Sequence, residues 1–202
     1  MTKDALMADL EHASRIARDG EDTPLLGGPI GLMWGILMTM VFSVQYMILE
    51  QILPVAQSNL TFLWIGFAAI GGFGSFILGR KQDEKPGSNS VANRLEGYVW
   101  IMFAGMMFTL ATGVILNLLF GNGTYQLWDI MIVIGFAGQG LAYGVVAKMT
   151  KLGWLHITAL LSFILSAICF AAFGQTTIYI IAAIGTIFTV ILPSLRTMKM
   201  AG

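Results

Sequence analysis

Apolar residues run through this chain in six long stretches separated by short polar segments. The stretches cover residues 30–52, 60–79, 97–120, 127–147, 152–173 and 177–195. A helix crossing about 30 Å of hydrocarbon needs roughly 20 apolar residues, and each stretch is of that length. None shows the alternation over roughly ten residues that marks a transmembrane strand. Backbone N–H and C=O groups in lipid must bond within their own segment, so uninterrupted stretches of this kind predict helices. The pattern predicts an all-α, polytopic membrane protein, its six transmembrane helices arranged as three hairpins. It divides the chain into a cytoplasmic N-terminal segment (1–28), a six-helix transmembrane domain (29–196) and a cytoplasmic tail (197–202).

The polar segments differ in charge, and the difference predicts orientation. Connections 53–59, 121–126 and 174–176 carry no Lys or Arg. All eleven basic residues lie in the other segments and their flanks: Lys3, Arg15 and Arg18, then Arg80, Lys81, Lys85 and Arg94, then Lys148 and Lys151, then Arg196 and Lys199. Basic residues collect on the cytoplasmic side, so both termini are expected there. A single miscounted helix would destroy this separation. Trp34, Trp100 and Trp154 fall near the inner starts of their helices, and Trp64, Trp128 and Tyr179 near the outer starts. Amphipathic rings favour the membrane–water interface, so these are expected anchors.

Composition agrees. The chain is 56% hydrophobic and 11% charged, against about 25% charged in soluble domains, and its mean hydropathy is +0.78. The formal net charge of zero supplies no bulk attraction for nucleic acid. Cys169 is the one cysteine, which excludes a disulfide framework or a cysteine metal cluster within one chain. No positive leader or small-residue cleavage site precedes the first stretch, so the first helix is expected to persist in the mature protein.

Short matches suggest a repeated hairpin. Gly31-Leu32-Met33-Trp34 recurs as Gly97-Tyr98-Val99-Trp100, and Ile65-Gly66-Phe67-Ala68 as Ile134-Gly135-Phe136-Ala137, at spacings of 66 and 69 residues. The copies share one orientation, unlike the inverted repeats of many transporters. Either duplication or chance similarity in glycine-rich apolar sequence accounts for them.

Residues 2–18 place Leu6, Leu10, Ala13 and Ala17 on one stripe, predicting an amphipathic N-terminal helix. Such a helix could lie on the inner leaflet, on the protein's own cytoplasmic loops, or on a partner. Six acids among the first 22 residues make it a poor polybasic membrane binder. Leu25-Leu26-Gly27-Gly28-Pro29 then bends the chain into the first span. In the longest loop, Asn93 with Glu96 resembles an N-cap with its supporting carboxylate, and Ser90 is an alternative start. Asn93, Arg94, Glu96 and His156 form an inner rim that serves either capping and surface pairing or a charge-dependent site.

No Lys, Arg, Asp or Glu occupies the middle of a span, where ionisable groups often mark function. Glu50 and Asp129, near outer helix ends, either form a cation-attracting rim or are simply solvated. Gln45, Asn117 and Gln139 are the candidate intramembrane polar site. Gln139 lies in Gly135-Phe136-Ala137-Gly138-Gln139-Gly140, which suits either a solute contact or a close helix crossing with one buried amide. His156 has no neighbouring ligands for a metal, and the thirteen methionines suit packing better than copper. No nucleotide-binding, nucleophile-elbow or zinc-protease motif occurs. Neither cofactor nor metal is expected.

Three segments carry a resemblance: Thr23-Pro24-Leu25-Leu26-Gly27-Gly28 before Trp34-Gly35, Ser90-Val91-Ala92-Asn93-Arg94-Leu95-Glu96 before Trp100, and Leu127-Trp128-Asp129. Together they resemble a family of small, uncharacterised six-helix inner-membrane proteins of alphaproteobacteria. That resemblance implies an inner-membrane location and no assigned activity. Pro29 stands where the family's pattern leads to a basic residue. The hairpin architecture is also similar to that of the HdeD acid-resistance membrane proteins. The leading expectation is a non-enzymatic accessory or scaffold subunit, associating with a protein partner or with itself through glycine-rich helix faces and the N-terminal helix. The alternative is a small-solute or ion transporter centred on Gln139. A lipid-modifying enzyme would need a nucleophile–base pair that the spans lack.

Overall fold

The structure, a computed structural model, describes Met7 and residues 24–201. Apart from Met7, the expected N-terminal helix lies outside the described residues. The described chain is helical and contains no strand. Six helices are long and apolar enough to cross a membrane, so the chain has the architecture of a multi-pass membrane protein.

The first helix, α1 (Gly28–Leu49), starts with Pro29 in its first turn, where a missing N–H costs nothing. Next come α2 (Leu60–Asp83) and α3 (Val91–Phe120). Ser90 caps α3, its Oγ accepting from Asn93 N at 3.3 Å. The cap is therefore Ser90, and Asn93 is left for another role. The fourth helix, α4 (Asp129–Thr150), ends on Lys151 in the left-handed region at φ 57°. That residue reverses the chain, and α5 (Gly153–Ala171) follows after only Lys151 and Leu152. The sixth span is α6 (Thr177–Thr186), a π-helical turn (Ile187–Ile191) and α7 (Leu192–Ala201).

Packing crosses the boundaries of the expected hairpins. α1 packs on α2 and α3 on α4, but the most extensive pairings join α4 to α5 and α1 to the whole sixth span. The order is α2, α1, sixth span, α5 with α4, then α3. Burial follows that order. Half of the 18-residue apolar stretch of the sixth span and 44% of that of the fourth are buried, against 6% in the second and in the third. The repeated tetrapeptides do not make repeated contacts. Gly31 faces Ser194 of the sixth span, whereas Gly97, at the matching position, meets nothing within 4 Å.

Two apolar cores are stacked along the bundle. One unites Phe42, Ile132, Phe136, Cys169, Ile178 and Ala182. The other unites Leu25, Ala92, Tyr143, Val146, Ala147, Leu155 and Ala159. Close approach depends on small residues. A methyl group at Gly28 would stand 2.6 Å from Met198, and one at Gly35 would stand 2.7 Å from Ile191. These contacts put the start of α1 beside the end of α7, so both described ends of the chain share one end of the bundle. Every basic residue of the described helices lies at or beside that end.

The tryptophans do more than anchor. Trp34 donates from Nε1 to Ser75 Oγ at 2.8 Å and meets Phe67 edge-on at 5.2 Å. Trp64 packs edge-on against Phe67 at 5.2 Å and Phe42 at 5.9 Å. Trp100 stacks edge-on with Tyr143 at 5.2 Å. All three are half-buried and join neighbouring helices.

Adjacent glycines in α2 test this packing. A Cβ at Gly71 would overlap the Trp34 ring, while one at Gly72 meets nothing within 4 Å. Gly71→Ala should lower stability by about 1–3 kcal/mol through overpacking. Gly72→Ala should stay within about 0.5 kcal/mol of wild type, as surface changes do. Reversible unfolding in detergent micelles measures both.

Candidate functional site

Gln139 sits between the two cores, one turn from Phe136 and one from Tyr143. Its side chain is buried. Nε2 donates to the Thr189 carbonyl at 3.0 Å and to Ser162 Oγ at 3.3 Å. The reason lies in the sixth span. Pro193 has no N–H, so the carbonyl four residues back, Thr189, loses its ordinary α-helical donor. The helix widens into a π turn over this stretch, and Gln139 supplies a donor from α4. Ser162 Oγ passes its own proton to the Thr158 carbonyl at 2.9 Å, and Thr189 Oγ1 donates to the Gly185 carbonyl at 3.0 Å. Gln139 therefore fastens α4, α5 and the sixth span together.

The other two members of the expected polar trio lie elsewhere. Gln45 is buried between α1 and α2, where its Oε1 accepts from Trp64 Nε1 at 2.8 Å. Asn117 is exposed near the end of α3, against Gly121 and Gly123. The three have different neighbours: Trp64 for Gln45, Gly121 and Gly123 for Asn117, and Ser162 and Thr189 for Gln139. An open groove of about 370 Å3 lies on the outside of α1, α2 and α7, and its lining is apolar, including Leu32, Ile36, Ile70 and Met198. Among the described residues, no group of three or more His, Cys, Asp or Glu is placed to hold a metal ion.

At the end remote from the basic residues, Asp129 and Glu50 both bind the connection between α5 and α6. Asp129 is buried rather than solvated. Its Oδ1 accepts from Tyr179 Oη at 2.6 Å and its Oδ2 from Gly174 N at 3.0 Å. Gly174 adopts φ +78°, a conformation that suits glycine. As the first residue of α4, Asp129 also faces the positive end of the helix dipole. Glu50 is exposed and accepts a hydrogen bond from Thr176 Oγ1. The two carboxylates act as separate clasps.

At the basic end, residues 24–27 form a strap across the bundle. Leu26 N donates to Asn93 Oδ1 at 2.8 Å, and Gly27 N to Glu96 Oε2 at 3.1 Å. Asn93 Nδ2 reaches the Pro24 carbonyl at 3.1 Å and the Gly87 carbonyl at 3.0 Å. Gln82 Nε2 donates to the Leu26 carbonyl. Leu25 enters the second core beside Ala92 and Tyr143. Asn93 and Glu96, expected to cap α3, instead satisfy the backbone of the strap. Arg94 and His156 are exposed and make no part of it. Arg196 lies over the Trp154 ring, 4.8 Å from its centroid.

Sequence reasoning missed Gln82, Ser162, Thr189 and Tyr179 as partners. The Thr189–Pro193 spacing was the one readable signal among them. No protein-family model, curated protein or solved structure matches this chain.

The Gln139 contact gives a sharp test. Gln139→Leu should cost about 1–3 kcal/mol, because a buried carbonyl loses a donor. In a Pro193→Ala background the introduced alanine supplies its own N–H, and the cost of Gln139→Leu should fall by about 0.5–3 kcal/mol, the range of coupled neighbours. A double-mutant cycle of unfolding free energies in micelles reads the coupling.

Proposed function

We propose that this protein is a non-enzymatic accessory or scaffold subunit of a bacterial inner membrane, with both termini in the cytoplasm, acting by helix association. The observation that carries this reading is the state of the two outer helices. Gly72 in α2, and Gly97, Gly105 and Gly113 in α3, are exposed, and a methyl group on any of them would meet nothing within 4 Å. Gly105, Thr109 and Gly113 lie at successive four-residue steps on one face of α3. Thr109 Oγ1 donates to the Gly105 carbonyl at 2.9 Å, so the hydroxyl adds no unmet polar group. Small residues spaced in this way let a second transmembrane helix approach closely and gain packing energy. The glycines of α1 are already used inside the bundle, whereas those of α3 are not.

The transporter alternative required Gln45, Asn117 and Gln139 to meet around a solute. Their separation removes its motivation, and both buried amides are engaged by neighbouring helices. The gathering of the described basic residues at one end and the positive-inside tendency support the cytoplasmic orientation.

Purified in mild detergent, the protein should run as an oligomer or carry a co-purifying membrane partner. Gly105→Leu with Gly113→Leu should abolish that assembly and leave the thermal transition of the bundle in place. Light scattering after size exclusion, with pull-down from native membranes, measures both. A wild-type protein that is strictly monomeric and partnerless contradicts the scaffold role.

A further inference from the structure

We propose that the acidic N-terminal segment, residues 1–23, docks on the basic end of its own bundle. The strap fixes where that segment begins. Pro24 is held by Asn93, and Leu26 by Asn93 and Gln82, so the described chain begins its strap at the rim formed by the end of α2 and the start of α3.

Charge points back to the same surface. Residues 1–23 carry six acids and three bases, a net charge of −3. The basic end of the bundle carries eight bases (Arg80, Lys81, Lys85, Arg94, Lys148, Lys151, Arg196 and Lys199) and three acids (Asp83, Glu84 and Glu96), a net charge of +5. Glu96 is turned onto the strap, which leaves the surface more positive still. A net-negative segment is poorly suited to an anionic lipid surface, while a surface of opposite sign lies within a few residues of its tether.

Length and pattern also fit. Residues 2–18, as a helix rising 1.5 Å per residue, span about 25 Å, which is about three helices packed at their usual spacing. The Leu6, Leu10, Ala13 and Ala17 stripe would meet apolar side chains at that end, where Met149, Met198 and Met200 are 54%, 38% and 50% exposed. Exposed ion pairs are weak singly, worth about 0–1 kcal/mol. A tether of about five residues raises the local concentration of the segment to the order of millimolar, so weak pairs suffice.

Cysteine cross-linking in membrane vesicles tests this, with the buried Cys169 left native. A cysteine at Leu10 should cross-link within one chain to a cysteine at Met149 or Met198. Asp9→Lys with Glu11→Lys, which turns the net charge of the segment from −3 to +1, should abolish the product. High salt should weaken it, as screening requires. The tail substitutions leave the bundle untouched, and an unchanged thermal transition checks this. The proposal is overturned if no intramolecular product forms, if the product is indifferent to charge reversal, or if it forms only between two chains. Outcomes of this test do not depend on whether the α3 face binds a partner.

Discussion

Pro193 brings no N–H to a helix with the length and polarity of a membrane span, and the carbonyl of Thr189 has to find another donor. In water a solvent molecule would serve. In hydrocarbon the donor must come from the protein, and an unmet backbone group costs several kcal/mol. Gln139 Nε2 is that donor. Its position then fixes much else. A glutamine on α4 can reach the sixth span only if the two lie close, and Ser162 on α5 joins the same hydrogen-bonded set. The three most tightly packed helices are thus held by one amide at the level between the two apolar cores. Each core fills the space that this contact defines.

Away from that centre, closeness comes from small residues and from polar clasps at the helix ends. Gly28 and Gly35 let α1 lie against the sixth span along its length. Asp129 ties the start of α4 to Tyr179 and Gly174 at one end, and Asn93, Glu96 and Gln82 tie the strap at the other. Gln45, Asp129, Gln139 and Ser162 each find a partner within the bundle, on different helices. Among the described residues, the outer helices α2 and α3 each pack mainly on one neighbouring helix and bury little of their surface. A bundle whose buried amides and buried carboxylate are paired internally, and whose flanks are open, is suited to association.

Six spans were legible because hydrocarbon demands long apolar stretches, but their ends were not: α3 starts at Val91, before the apolar stretch, and the sixth span runs on to Ala201, because polar residues extend both helices beyond the hydrocarbon-length stretch. The chemistry of Gln139 was half legible. Its glycine-rich setting spoke for a close crossing, but the acceptor could be found only by relating it to Pro193, some 54 residues away. Asp129 was read as a rim group because its distance from the hydrocarbon looked sufficient for solvation. Burial by Tyr179 and the α5–α6 connection is a tertiary effect that no local pattern carries. Asn93 and Glu96 were recognised as polar groups at a helix start, yet their ligand is a backbone strap nearly 70 residues earlier. The hairpin grouping followed connectivity, whereas packing followed side-chain volume, which joined α1 to the sixth span.

The central claim is that the buried polar side chains fasten helices and do not line a solute path. Substituted-cysteine accessibility tests it most directly. Cysteines placed singly at positions 45 and 139 would be challenged in intact vesicles with a small, membrane-impermeant thiol reagent from each side. A cysteine at exposed Tyr125 would serve as the reactive reference. The account predicts that positions 45 and 139 remain unlabelled from both sides while position 125 reacts. Labelling of position 139 from either side would reveal a water-filled route to the centre of the bundle and contradict it.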